Sequence, residues 1–360
     1  MSSPELPGLD QLTAQAVELL RDLIQTPSFS REEGPTADLL MAFLTRHGVP
    51  AQRQGHNVWA QNRHFDPTKP TILLNSHHDT VKPGASWTQD PFGAVVDGDR
   101  LAGLGSNDAG ASAVSLLAAF RHFYAQENLP YNLICAITAE EEISGPNGIR
   151  SLLPLLPKLD LGVVGEPTQM DLAVAEKGLL VLDCVAHGRT GHAARDEGDN
   201  ALYRALPDIE WFRTYRFERV SELLGPVKMT VTQVQAGTQH NVVPDRCSFV
   251  VDVRPNELYT NAEVVELVRQ HVRCDVTPRS LHLNSSRIPL THPLVQRGMA
   301  QGRRVFGSPT LSDQSMMPFS TVKIGPGDSA RSHTPDEYIL LSEIRAGIRG
   351  YMELLDGLEL

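Results

Sequence analysis

Apolar positions recur along this chain in two rhythms, one helical and one of short unbroken runs. The stretch LTAQAVELLRDLIQT (12–26) sets Leu12, Ala16, Leu20, Leu23 and Ile24 on one helical face, and Pro27 stops it. A second helix is predicted from Pro35 to His47, ending at Gly48, and a third over 109–124 with Asp108 near its N-cap. The runs TILLN (71–75), YNLICAIT (131–138), LDLGVVG (159–165) and TVKIG (321–325) read as buried strands. Such strands, alternating with helices, predict an α/β class with a mostly parallel sheet flanked by helices.

The middle of the chain has a different texture. EKGLLVLDCVAHG, VKMTVTQVQAG, RCSFVVDVRP and DVTPRSLHL read as strands, with helices expected over 200–223 and 260–272. The order strand, helix, strand, strand, helix, strand is the ferredoxin-like α+β pattern. Residues 176–287 are therefore expected to be an inserted domain. Residues 1–175 and 288–360 are expected to close into one α/β domain.

Composition adds exclusions. With 360 residues the chain can bury more than one core. A net charge of −11 argues against nucleic acid or anionic membrane as partners. No apolar run approaches the length of a membrane span. The start, MSSPELPGLD, has neither the basic region nor the apolar core of a secretory leader. Cys135, Cys184, Cys247 and Cys274 lie far apart and form no Cys-x-x-Cys pair. Reduced, packed thiols in a cytoplasmic protein are the expectation.

The chemistry collects where strands end. TILLN runs into Ser76, His77, His78 and Asp79; YNLICAIT into Ala139 and Glu140–Glu142; LGVVG into Glu166. TVKIG is followed by a loop that reaches His333, and Asp108 precedes a helix in GLGSNDAG. In a parallel sheet ligands gather beyond the carboxyl ends of strands, so these distant residues are expected to converge. Two histidines and three carboxylates suit divalent cations, and a carboxylate can bridge two of them. Two dications against three ligand carboxylates leave positive charge that favours hydroxide over water. Each part alone has an ordinary reading: Asp108 as a helix cap, Glu140–Glu142 as a solvated face, Glu166 as a loop acid, His333 as a surface residue. Their joint occurrence is what points to a metal centre. There is no Gly-x-Ser-x-Gly elbow, Walker loop, Gly-x-Gly-x-x-Gly or His-Glu-x-x-His in the chain.

The motifs SHHDTV, GLGSNDAG, TAEEEISG, VVGEPTQ and GPGDSARSHTPDEY together resemble the five ligand motifs of the M20 dizinc metallopeptidases and deacylases. The resemblance spans nearly the whole chain in the right order. It implies a catalytic α/β domain with a lid or dimerisation domain inserted, two divalent ions (zinc, or cobalt), and a small N-acyl amino acid as substrate. Carried over, Asp108 would bridge the metals, with His77 and Glu166 on one and Glu142 and His333 on the other. Asp79 would orient the His77 ring, and Glu141 would be the general base. In the lid, GRTGHAARDEGDNAL places His192 where it would reach the partner subunit's active site. TQHNVVPDRCSFVVDVRP places Asn241 and Arg254 where they would contact substrate, the guanidinium on a free carboxylate. The family commonly has a small or apolar residue at the position of His78. Within the family the motifs most resemble acetylornithine deacetylases. That implies removal of an acetyl group from N-acetyl-L-ornithine in arginine biosynthesis by a metal-bridging hydroxide, in a homodimer. The alternatives are a desuccinylase acting on succinyl-diaminopimelate or succinylornithine, a small-peptide peptidase, and, more remotely, a non-catalytic binder of metal or amino acid.

Overall fold

In a computed structural model the described residues run from Pro7 to Leu360, so most of the N-terminal stretch MSSPELPGLD lies outside them. The chain divides into two compact units. The first holds the residues up to Val174 together with Ile288–Phe306 and Ser312–Leu360; the second holds Ala175–Arg287 and Gly307–Leu311.

The first unit is built on a mixed sheet. Its middle is parallel: Thr71–His77 lies between Asn132–Thr138 and Leu161–Val164, and Thr321–Lys323 follows on the far side of Leu161–Val164. Antiparallel strands flank this middle, with Asn57–Gln61 beside Asn132–Thr138. Every residue of Thr71–His77 and Asn132–Thr138 is buried, as expected of strands covered on both faces. Leu73, Ile134, Ala136 and Val164 join Ile149 and Leu152 in one apolar cluster. Alternation along the strand sends Ile72 and Leu74 to the opposite face. Helices Leu9–Gln25, Ala111–Phe123 and Leu341–Leu355 pack against one another, and Ala111–Phe123 also packs on the strand Thr71–His77.

Register positions the chemistry. Lys323 pairs with Val164, Val164 with Asn75, and His77 with Thr138. The strands thus finish nearly level, and the chain leaves each of them at the same rim. The apolar run TILLN predicts a strand over 71–75, but the ladder continues through Ser76 and His77. His77 is therefore fixed by sheet hydrogen bonds and not by a loop.

The second unit has a four-stranded antiparallel sheet in the order Lys228–Ala236, Arg246–Arg254, Leu180–His187, Asp275–Pro278. With helices Ala201–Thr214 and Asn261–His271, this is the ferredoxin-like arrangement. Thr260 and Glu263 form a capping box at the start of the second helix. The first helix stops at Thr214, well short of the 223 expected from the sequence. Beyond it, Tyr215 and Phe217 turn to the same side of an extended segment. Tyr215 packs on the His271 ring and Phe217 on the Tyr259 ring, 5.4 and 5.2 Å between centroids. A period of two serves that packing, and a helix does not.

One glycine holds the rim tight. A Cβ on Gly325 would lie 2.3 Å from Ser112 Oγ and 2.5 Å from the Glu166 carbonyl oxygen. Gly325→Ala should therefore lower stability by about 1–3 kcal/mol, read as a reduced urea midpoint. A midpoint equal to that of the parent would show that the rim yields.

Candidate metal centre

His77 Nδ1 donates to the Asp79 carbonyl oxygen at 3.0 Å, which turns Nε2 toward the rim. That nitrogen is buried and makes no hydrogen bond. Around it stand Asp108 Oδ1 at 3.4 Å, Glu166 Oε1 at 3.7 Å and Glu141 Oε2 at 3.8 Å. His333 lies on the other side, with Nε2 3.0 Å from Glu142 Oε2 and 3.6 Å from Asp108 Oδ2. Asp108 thus directs one oxygen toward each histidine. Two sets, His77 with Asp108 and Glu142, and His77 with Glu141 and Glu166, have ligand atoms all within 4.8 Å of one another. An orphaned imidazole nitrogen amid carboxylate oxygens fits a divalent cation with nitrogen and oxygen ligands.

Local structure explains how the side chains are aimed. Glu140 adopts a left-handed backbone conformation, φ 54°, and so does Ser144, φ 47°. These two positions bracket a tight turn that carries Glu141 and Glu142. Asp79 fastens the turn: its carboxylate accepts the N–H groups of Glu141 and Glu142 at 3.0 and 3.1 Å and the Ser30 hydroxyl at 2.7 Å. The same carboxylate stands 3.5 Å from His77 Nδ1. The ring is held by the Asp79 carbonyl, while the Asp79 side chain mainly fixes the two glutamates. Glu140 itself turns inward and accepts from the Asn147 backbone and side-chain N–H groups. Buried Glu33 accepts the N–H of Glu140.

Asp108 is not a helix cap. A wide turn, Ser106–Gly110, precedes the helix that starts at Ala111, and Gly110 occupies the cap position. The reason lies in the neighbouring loop, where Glu337 accepts the backbone N–H groups of Gly105, Asn107 and Asp108. With the backbone held this way, the Asp108 carboxylate is left to face the histidines.

The charges conflict. Burial pushes Glu141 well above the usual carboxylate range, and Glu166, Asp313 and Glu142 add repulsion against the pull of His77. Burial and Asp108 push Glu166 up to about 8, opposed by His77 and Lys323. Burial works against charging His77, yet Glu141, Asp108, Asp79 and Glu166 together raise it well above its ordinary value. The hydrogen bond to Glu142 lifts His333 to about 9. Carboxylates this close cannot all be ionised without added positive charge.

His78 lies outside this group. Its Nδ1 is 2.9 Å from Thr36 Oγ1 and its Nε2 donates to the His56 carbonyl at 3.0 Å. Burial lowers it to about 4, so the ring is neutral and tethers the strand to its neighbours. The predicted lid residues lie in the second unit. His192 is exposed, in a two-residue strand paired with Val242 and Val243, and its Nδ1 accepts from Ala194 N–H. Asn241 is exposed, and its carbonyl accepts from Ala193 N–H. Arg254 grips Asp252 through Nε and Nη2, at 2.8 and 3.0 Å. Sequence reasoning missed Glu33, Glu140 and Glu337. The only available signal was that Glu140 and Glu337 lie inside motifs already singled out.

Residues 73–357 match the peptidase family M20/M25/M40. The chain belongs to that family. It is a hydrolase acting on amide bonds. It is 28% identical to succinyl-diaminopimelate desuccinylase 2 of Ruegeria sp. (strain TM1040), over 93% of each chain. It is 27% identical to succinyl-diaminopimelate desuccinylase of Gluconobacter oxydans (strain 621H), over 71% of this chain and 72% of that one. Its fold is like that of Bacillus subtilis YXEP, described as a dinuclear metal binding peptidase of the M20 family. The TM-score is 0.72 at 17% identity, over 97% of this chain and all of that one. Neither of the two relatives is named for acetylornithine. Among the described residues no helix is long and apolar enough to cross a membrane.

The two adjacent histidines should separate cleanly. His77→Ala should abolish high-affinity metal uptake, measured by elemental analysis after gel filtration. His78→Leu should keep the metal content and lose about 1–3 kcal/mol of stability from stranding its two hydrogen-bond partners. Metal loss in His78→Leu would refute this division.

Proposed function

We propose that this chain hydrolyses the amide of an N-succinyl amino acid of the succinyl-diaminopimelate type, at a centre of two divalent ions. The observation that carries the two-ion reading is Asp108, with one oxygen toward His77 and the other toward His333. His77 and Glu166 would hold one ion, Glu142 and His333 the other, and Asp108 both. The nitrogen and oxygen donor set suits zinc, and cobalt shares its preferences. When bound, the metals would polarise the amide carbonyl and make water a stronger acid.

The other steps belong to this chain's own side chains. Glu141 takes a proton from the attacking water and returns it to the departing nitrogen, so that the C–N bond breaks to give a carboxylate and an amine. A carboxylate raised by burial suits that double duty. Asp79 keeps Glu141 in place through the turn's backbone. His192, Asn241 and Arg254 would meet the substrate, and a homodimer through the second unit would complete the assembly.

The succinyl reading is favoured over acetylornithine by the two named relatives. A panel of succinyl- and acetyl-amino acids with short peptides tests it, and succinyl-diaminopimelate should be cleaved with the highest kcat/KM. Faster cleavage of acetylornithine would reverse the assignment. Glu141→Ala should reduce kcat about 10²–10⁴-fold with both metals retained. Chelation should abolish turnover of the parent, and zinc or cobalt should restore it.

A further inference from the structure

We infer that Glu337 is the positioning residue that sets the Asp108 carboxylate between the two metal positions. The inference rests on the proposed reading of Asp108 as the bridging ligand. Glu337 is 2% exposed, yet it carries an ionisable side chain into the core of the first unit. Its Oε1 accepts from Asn107 and Asp108 N–H groups at 2.8 and 2.9 Å, and its Oε2 from Gly105 N–H at 3.0 Å. Gly105 is left-handed, φ 74°, and Asp108 is extended, φ −115° and ψ 99°. These N–H groups lie at the N-terminal end of the Ser106–Gly110 turn and of the helix it leads into, where no helical carbonyl precedes them to accept. The carboxylate therefore supplies the acceptor that the preceding chain does not, and it does so at the residue whose side chain faces both histidines.

A second lock joins the same two segments. Asn107 Oδ1 accepts Asp328 N–H at 3.0 Å, and Asn107 Nδ2 donates to the Asp328 carbonyl and to Ser332 Oγ at 3.1 and 3.4 Å. Glu337 stands four positions after His333, so one short loop bears a ligand and the clamp on the ligand opposite it. A shift of that loop would move His333 and Asp108 together. A residue that merely filled the core would not link two sides of the centre in this way.

The test is equilibrium titration of the metal-free full-length protein with Co²⁺ against a competing chelator, read also by visible absorption. Groups that orient ligands typically change metal affinity about 10–100-fold when removed. Glu337→Ala should lie near the upper figure and Glu337→Gln near the lower. The amide keeps one acceptor oxygen for Asn107 and Asp108 but turns an N–H toward that of Gly105. Both should also alter the cobalt absorption bands. Leu354→Ala, in the buried face of the last helix, is the control for lost stability, and it should leave affinity and bands unchanged. If Glu337→Ala does not fold, Glu337→Gln decides. Affinity within twofold of the parent and unchanged bands in Glu337→Gln overturn this inference alone. Asp108→Ala with parent-like uptake of two cobalt ions overturns the bridging reading and this inference with it.

Discussion

Four carboxylates, Asp108, Glu141, Glu142 and Glu166, crowd two histidines at one rim of the sheet, and their mutual repulsion is the constraint from which the rest of the first unit follows. Burial makes the charges of Glu141 and Glu166 costly, and the neighbouring carboxylates make them costlier. A fold that holds such a group against two imidazoles alone favours added cations.

Holding repelling groups in place requires a rigid frame, and here the frame is made largely of backbone N–H groups pointed at carboxylates. Asp79 takes two from the Glu141–Glu142 turn, Glu337 takes three from the Asp108 turn, and Glu33 takes one from Glu140. These bonds hold the two short turns that carry Asp108 and the pair Glu141 and Glu142. Left-handed residues at Glu140, Ser144 and His333 cost about 1 kcal/mol or more apiece and persist because the surrounding hydrogen bonds determine them. Strain of this kind concentrates where side chains must be aimed.

The scaffold limits the reaction class more tightly than the substrate. A centre of this type attacks an amide carbonyl whether the bond belongs to a succinyl amino acid or to a peptide. Selection among these rests on the side chains that meet the acyl group and the free carboxylate. Fold similarity at 17% identity says nothing about that choice.

The sequence by itself determined the element types, the ferredoxin-like order of the middle region and the candidate ligands His77, Asp108, Glu142, Glu166 and His333. Those features are local: apolar periodicity marks strands and helices, and residues after a buried strand must emerge at its end. Tertiary structure decided the rest. It extended one strand to include His77, sent His78 to Thr36 and His56, ended the helix at Thr214 for the sake of Tyr215 and Phe217, and replaced the expected cap at Asp108 with a turn held by Glu337. Each outcome depends on partners between 22 and 232 positions away, across space that no periodicity records. Periodicity reports which face of an element is buried. It does not report which distant backbone will need an acceptor.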